Sequence, residues 1–429
     1  MKQNGAVFVE IVADVRHAWR AATGLTPALA LSMAALVLGT STMGCSGHVE
    51  GVEGNAENGT ADRVSSVEPL RSDRGSIGAG WSFSCATSAK GLVSCWGANH
   101  FGQLGTSASP GAAQHTPKLV PDLGNVTALS VGYLHACALR VGGTVMCWGD
   151  GSDGQIGDGS ANDAFTPRAV SNLAGATAIT TGDAHSCARL ASGAVMCWGS
   201  NLNGQLGDAS TAPHGAPVFV ENLGDALAVS AGASHTCALV SGGRVRCWGA
   251  NYAGQLGDTT TLESHVPVLV AGIDDAIAIA AGAYDTCALR ESGGVRCWGA
   301  NRFGEIGDGI IGGAASPPAD VAGLSRVTSV ALGGHDACAL DADGAVFCWG
   351  LGSKGQHGDG TRATHATPVR VVGIDSAITI AVGVEHACAA LRDGSARCWG
   401  NNDFGKLGDG TTTPSAVPVV VSAAAVAAE

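Results

Sequence analysis

Short apolar stretches alternate with small and polar residues between Asn125 and Gly149, and glycines punctuate them at close intervals. Ala128-Leu129-Ser130-Val131 reads as a strand of period two, and Gly132 breaks it. A second strand runs through Cys137, Gly142-Gly143 turn the chain, and a third strand carries Cys147-Trp148-Gly149. A fourth segment begins at a proline, marked along the chain by Pro117, Pro167, Pro217, Pro267, Pro318, Pro368 and Pro418. Proline at the start of a last strand suits an outer edge, where a missing amide donor is little felt.

This pattern recurs with a nearly fixed period. Trp96, Trp148, Trp198, Trp248, Trp298, Trp349 and Trp399 are separated by steps of 52, 50, 50, 50, 51 and 50 residues, the signature of one supersecondary unit per step. Seven four-stranded units arranged radially predict an all-β fold, a seven-bladed β-propeller over residues 75–422. Gly 65, with 14% charged and 5% aromatic residues, fits many turns and short strands and little helix.

Each unit also holds two cysteines with nine residues between them: Cys85 and Cys95, Cys137 and Cys147, Cys187 and Cys197, Cys237 and Cys247, Cys287 and Cys297, Cys338 and Cys348, and Cys388 and Cys398. In an antiparallel pair the numbers of opposed residues sum to a constant. With 137 opposite 147, Leu139 faces Val145, Arg140 faces Thr144, and Val141-Gly142-Gly143 forms the loop. Opposed Cα atoms lie about 4.5–5.5 Å apart, within the roughly 4.4–6.8 Å that a disulfide spans. One cross-strand disulfide per blade is therefore expected, each stabilising by about 2–3 kcal/mol. Buried reduced thiols are the alternative. Zinc would need a tetrahedral set, and no CxxC or paired His completes one.

The amino-terminal segment predicts export. After Lys2, Arg16 and Arg20, residues 25–39 are apolar and uncharged, a length that fits a secretory core rather than a membrane span. Thr42-Met43-Gly44-Cys45 resembles a bacterial lipoprotein cleavage site, although Thr42 stands where leucine is preferred. Of 15 cysteines, 14 form the seven pairs and Cys45 is left over, so lipidation of Cys45 accounts for the odd thiol. Residues 1–45 are thus expected to be a signal peptide, 46–74 a flexible linker poor in large apolar residues, and 423–429 a tail. The location expected is the outer membrane, the cell surface or the medium, with membrane contact only through the lipid anchor. A net charge of -13 argues against a nucleic-acid partner.

Three motifs, Gly232-Ala-Ser-His235-Thr-Cys237-Ala-Leu239, Trp248-Gly-Ala-Asn251 and Gly254-Gln-Leu-Gly257-Asp258, together resemble the repeat of the regulator of chromosome condensation family, and the likeness covers residues 75–422. The resemblance implies a seven-bladed propeller. It also implies two kinds of activity: the family's eukaryotic founder is a nucleotide-exchange factor for a small GTPase, and the superfamily includes a secreted β-lactamase inhibitory protein. The cysteine ladder departs from both, so neither interface is carried over to these residues.

Candidate chemistry is sparse. Phe83, His135, His185, His235, Asp285, Asp336 and His386 stand two residues before each first cysteine. Such a ring is too wide to converge on one metal ion, so these side chains are read as ties between strands. Asp158, Asp208, Asp258, Asp308, Asp359 and Asp409 follow Gly-x-x-Gly and are read as turn residues bonding their own backbone rather than calcium ligands. The tryptophans are read as packing residues. No nucleophile elbow, phosphate loop or distinctive carboxylate pair is present, so no enzyme, cofactor or metal site is expected.

Function should lie where the units differ. The turn between strands one and two and the loop after Trp-Gly fall on one end of the propeller, the Gly-Gly turns on the other. Trp81, His100, Phe101, Tyr133, Tyr252, Tyr284, Arg302, Phe303 and Phe404 make the first end aromatic, as protein-recognition surfaces are. The expected molecule is a monomeric scaffold binding a protein or polysaccharide, in its sharper form an inhibitor of an extracellular enzyme. The alternative is a guanine-nucleotide-exchange-type regulator, which would need the cytoplasm and reduced cysteines.

Overall fold

The first blade comprises β1 (Ile77–Ala79), β2 (Phe83–Thr87), β3 (Val93–Gly97) and β4 (Gln114–Leu119); the second comprises β5 (Val126–Val131), β6 (His135–Arg140), β7 (Val145–Gly149) and β8 (Ala164–Ala169). The structure, a computed structural model, describes residues 75–106, 111–313 and 316–422. The expected signal peptide, Cys45 lipidation site, linker and tail lie outside the described residues. Five further blades repeat the order, and each of the seven sheets holds four consecutive strands. The chain is a seven-bladed propeller of four-stranded blades.

Small side chains explain how seven sheets approach one axis. The inner strands are built from runs such as Ala226–Ala231 (ALAVSA) and Ala276–Ala281 (AIAIAA), buried almost throughout. Hydroxyls tie adjacent inner strands: Ser130 Oγ meets Thr181 Oγ1 at 2.8 Å, and the Ala281 amide donates to Ser230 Oγ at 3.0 Å. Nearest the axis, Gly80, Gly132, Gly182, Gly232, Gly282, Gly333 and Gly383 form a closed circuit. A Cβ on any of them would lie 2.1–3.0 Å from the carbonyl oxygen of the next glycine, and Gly383 returns to Gly80. Glycine is required there by close approach.

All seven cysteine pairs are cross-strand disulfides within a blade. Cys85 is bonded to Cys95, Cys137 to Cys147, Cys187 to Cys197 and Cys237 to Cys247. Cys287 is bonded to Cys297, Cys338 to Cys348 and Cys388 to Cys398. In every blade the two cysteines are directly opposed in the ladder between its second and third strands. Their Cα atoms are 4.0–4.1 Å apart. This is closer than the expected spacing, because the bond draws an already narrow pair together.

The prolines differ in placement from expectation. Pro117 and Pro167 are the fourth residues of β4 and β8, not their first. Their position is tolerated because the ladder is interrupted there: Cys95 pairs with Lys118 and Gly97 with Gln114, leaving Pro117 at an irregularity on an outer strand.

Each blade is fastened to the one before it through its tryptophan. The seven indoles are fully buried. Trp148 Nε1 donates to the Gln103 carbonyl at 3.0 Å, Trp198 to Gln155 at 2.9 Å, and the pattern continues to Trp399 and Gln356 at 2.8 Å. Ring closure uses the same device without exchanging a strand. Trp96 in the first blade donates to the Lys406 carbonyl of the seventh at 2.9 Å, and Val384 N donates to Gly80 O at 3.3 Å.

Candidate functional site

The residues two before each first cysteine form the seams between blades. His135 Nε2 lies 2.9 Å from Ser186 Oγ, and that hydroxyl donates to Gln155 O at 3.1 Å. Since the hydroxyl hydrogen is committed to the carbonyl, the imidazole must be the donor. The same relay runs from His185 to Thr236 and Gln205 O, from His235 to Thr286 and Gln255 O, and from His386 to Ser84 and Lys406 O. A neutral ring protonated on Nε2 is what the relay needs. Burial enforces it, holding His135 at about 4 and His185 and His235 at about 3, with His386 also well below the ordinary value. The histidines therefore tie strands, as expected, and the strands belong to different blades.

Three seams lack the relay, and the chain marks them twice. Where a blade carries Phe83, Asp285 or Asp336, the next blade carries Ala136, Ala337 or Ala387 in place of the hydroxyl residue. Asp285 and Asp336 are buried, with Asp285 Oδ2 and both Asp336 oxygens unbonded within the protein. Burial raises both carboxyls well above the ordinary range. Glu305 adds to the shift at Asp285, and Asp285 adds to that at Asp336.

The turn aspartates behave as read. Asp158, Asp208, Asp258, Asp308, Asp359 and Asp409 each accept the amide two residues on, at 2.9–3.1 Å. Among the described residues no group of three or more His, Cys, Asp or Glu side chains is gathered to hold a metal ion.

The aromatic end divides into two unlike halves. Around blades seven, one and two, Trp81 stacks on Tyr133 with centroids 5.0 Å apart and planes 5° apart. Tyr133 is 2% and Phe101 7% exposed, in a small core with Leu134 and Val384. These two residues of the expected face are packing residues. His100 and Phe404 meet edge to face nearby, 5.4 Å between centroids.

Around blades four to six Tyr252 is exposed, Tyr284, Phe303 and His335 are partly buried, and the four rings join into a strip. Tyr252 lies 5.8 Å from Tyr284, Tyr284 5.5 Å from His335, and His335 5.1 Å from Phe303. Tyr252 is 46% exposed. The Arg302 guanidinium sits 5.3 Å from the Phe303 centroid.

Beneath the strip lies a residue that the sequence reading did not single out. Glu305 occupies the loop position held elsewhere by Gln103, Gln155, Gln205, Gln255 and Gln356, and by Lys406 in the last blade. In five blades the glutamine Oε1 accepts the amide two residues earlier at 2.9 Å. Glu305 Oε2 accepts from Phe303 N in the same way, and Oε1 meets His335 Nδ1 at 3.1 Å. Lys406 cannot accept; its Nζ donates to Trp81 O at 3.1 Å, and burial lowers it to about 8. The signal was available: two charges at a position otherwise always glutamine.

Comparison with known proteins points one way. The sequence model of the RCC1-like domain matches residues 166–428. Two models of the regulator of chromosome condensation (RCC1) repeat match residues 76–103 and 126–155, and 90–139 and 142–189. The ultraviolet-B receptor UVR8 of Arabidopsis thaliana is 32% identical over 87 residues, 20% of each chain. The mitochondrial RCC1 domain-containing protein RUG3 of the same plant is 34% identical over 109 residues, 25% of this chain and 24% of that one. The chain thus aligns with a quarter or less of these relatives' length. Among solved structures, yeast RCC1 (Prp20) bound to Kap60 superposes with a TM-score of 0.70 at 21% identity, covering 79% of this chain and 85% of that one. Human WBSCR16 superposes with a TM-score of 0.68 at 22% identity, covering 77% and 94%.

Proposed function

The chain belongs to the RCC1-like domain family, and from that premise we propose that it is an exported binding propeller that holds a protein partner on its aromatic end. The observation that carries the binding reading is the strip over blades four to six. There, exposed or half-buried rings from three consecutive blades join into one run, whereas on the opposite side Phe101 and Tyr133 pack inward and only the His100 and Phe404 pair stays exposed. Partly exposed aromatic clusters of this kind anchor protein interfaces. RCC1-like structures support a protein partner in general: Prp20p of Saccharomyces cerevisiae is described by its binding to Gsp1p and histones.

Export rests on separate support. Seven disulfides are usual for a protein that matures in an oxidising compartment and unusual for a cytoplasmic one. The leader pattern and the odd Cys45 agree with acylation and surface anchoring. Inhibition of an extracellular enzyme is the sharper form of this reading. An exchange-type regulator is the second reading. It draws on the fold shared with Prp20 and requires the cysteines to be reduced.

Crosslinking on intact cells followed by mass spectrometry tests the binding reading. The combined variant Tyr252→Ala, Arg302→Ala, Phe303→Ala should lose the crosslinked partner while its unfolding midpoint is unchanged. Retention of the partner would refute the assignment of the face.

A further inference from the structure

We propose that the strip formed by Tyr252, Tyr284, Phe303 and His335 receives a basic segment of the protein partner, whose arginine or lysine side chains lie on the aromatic faces above the Glu305 carboxylate. The inference rests on the loop-face reading and names the chemistry that would fit it. Three features place positive charge there. Tyrosine and phenylalanine faces attract cations, most strongly where water is partly excluded. One such face already carries a cation, Arg302 over Phe303 at 5.3 Å, so the strip is one that engages a guanidinium.

The charge beneath is one-sided. The Glu305 side chain is 1% exposed and its ion-pair contact is with His335. Asp285 and Asp336 are buried nearby, but burial raises both well above the ordinary carboxylate range, so the acid that matters beneath the strip is Glu305. Among the described residues none of these three carboxyls is paired with lysine or arginine. A cation arriving at the strip would therefore join Arg302 above the one buried Glu305 carboxylate.

The contrast across the ring sharpens the assignment. At the position of Glu305 the seventh blade has Lys406, and near it Phe101 and Tyr133 are covered while His100 and Phe404 stay exposed. Among the described residues, a run of rings lies over a buried glutamate at blades four to six, whereas the exposed ring of Phe404 lies near a buried lysine. A neutral glycan would use the rings but would be indifferent to Glu305.

The test exploits the repeat. Glu305→Gln installs the residue that five other blades carry at this position, with the same acceptor for the preceding amide, so it removes charge while keeping the loop. The full-length oxidised protein is titrated with a fluorescein-labelled Gly/Ser peptide carrying spaced arginines, and with the same peptide carrying glutamine at those places. The arginine peptide should bind, the glutamine peptide about tenfold or more weakly, and Glu305→Gln should weaken the arginine peptide by about tenfold with an unchanged unfolding midpoint. No binding of the arginine peptide, equal binding of both peptides, or an unaffected Glu305→Gln variant would overturn the inference. Crosslinking the native partner separates the two claims. Loss of capture in Tyr252→Ala, Phe303→Ala but not in Glu305→Gln keeps the loop-face reading and rejects the basic segment; retention in both rejects both.

Discussion

The seam between blades six and seven can be rebuilt from the seams around it. Asp336 faces Ala387 there, whereas His135 faces Ser186 between blades two and three. Replacing Asp336→His together with Ala387→Ser should complete the relay, with the new hydroxyl donating to the Gln356 carbonyl that already accepts from Trp399 at 2.8 Å. Removing a buried acid with neither oxygen bonded relieves about 1–3 kcal/mol, the new imidazole takes much of this back because its Nδ1 is left unbonded as in His135, His185, His235 and His386, and two buried hydrogen bonds add about 1 kcal/mol each. With some repacking loss the double variant should gain roughly 1–2 kcal/mol at neutral pH. With a urea dependence near 3 kcal/mol per molar, the unfolding midpoint should rise by about 0.5 M. Urea titration at neutral pH with disulfides intact reads this directly. No gain, or a gain equal to that of Ala387→Ser alone, would show that the histidine relay does not hold blades together.

Two further outcomes follow from the same seams. His235→Ala and Thr286→Ala should each destabilise by about 2 kcal/mol, and the double variant by little more than either single one, because both act through one relay; additive losses in urea titrations would contradict this. The pH profile should carry opposite signs from the two residue types. The buried histidines have folded values below their unfolded value of about 6.5. Their contribution is full above that pH and is lost as pH falls, by up to about 1.4 kcal/mol per unit for each histidine. Asp336 has a raised folded value, so its contribution is full below about pH 4 and is lost as pH rises. Asp336→Asn should therefore remove a stability loss on the alkaline side and leave the acid limb unchanged; unfolding midpoints across pH check both limbs.

Much of the scaffold was legible because each feature is set by local geometry repeated seven times. The steps from Trp96 to Trp399 fixed the number of blades, and the sum rule for opposed residues placed Cys137 against Cys147, and likewise Cys197, Cys247, Cys297, Cys348 and Cys398 against the first cysteines of their own blades. The turn role of Asp158 and its counterparts followed from glycine-rich sequence alone. What escaped were relations between blades. That Ser186 answers His135, while Ala337 answers Asp285, is written in the chain but means nothing until consecutive blades are known to share a seam. Ring closure through Lys406 and Trp96 likewise joins residues 310 positions apart. At the aromatic end composition could not tell Phe101 and Tyr133, which pack inward, from Tyr252 and Phe303, because burial there depends on the neighbouring blade's loop. Glu305 stands out only when its position is compared with the five glutamines.

Mapping disulfides in unreduced protein taken from its native cells tests the account most directly. Peptides containing Cys85 and Cys95, and each of the six other pairs, should appear linked within one blade, with essentially no reactive thiol among these fourteen cysteines after unfolding. Fourteen free thiols, or links that join different blades, would contradict a disulfide-pinned ring that works outside the cytoplasm.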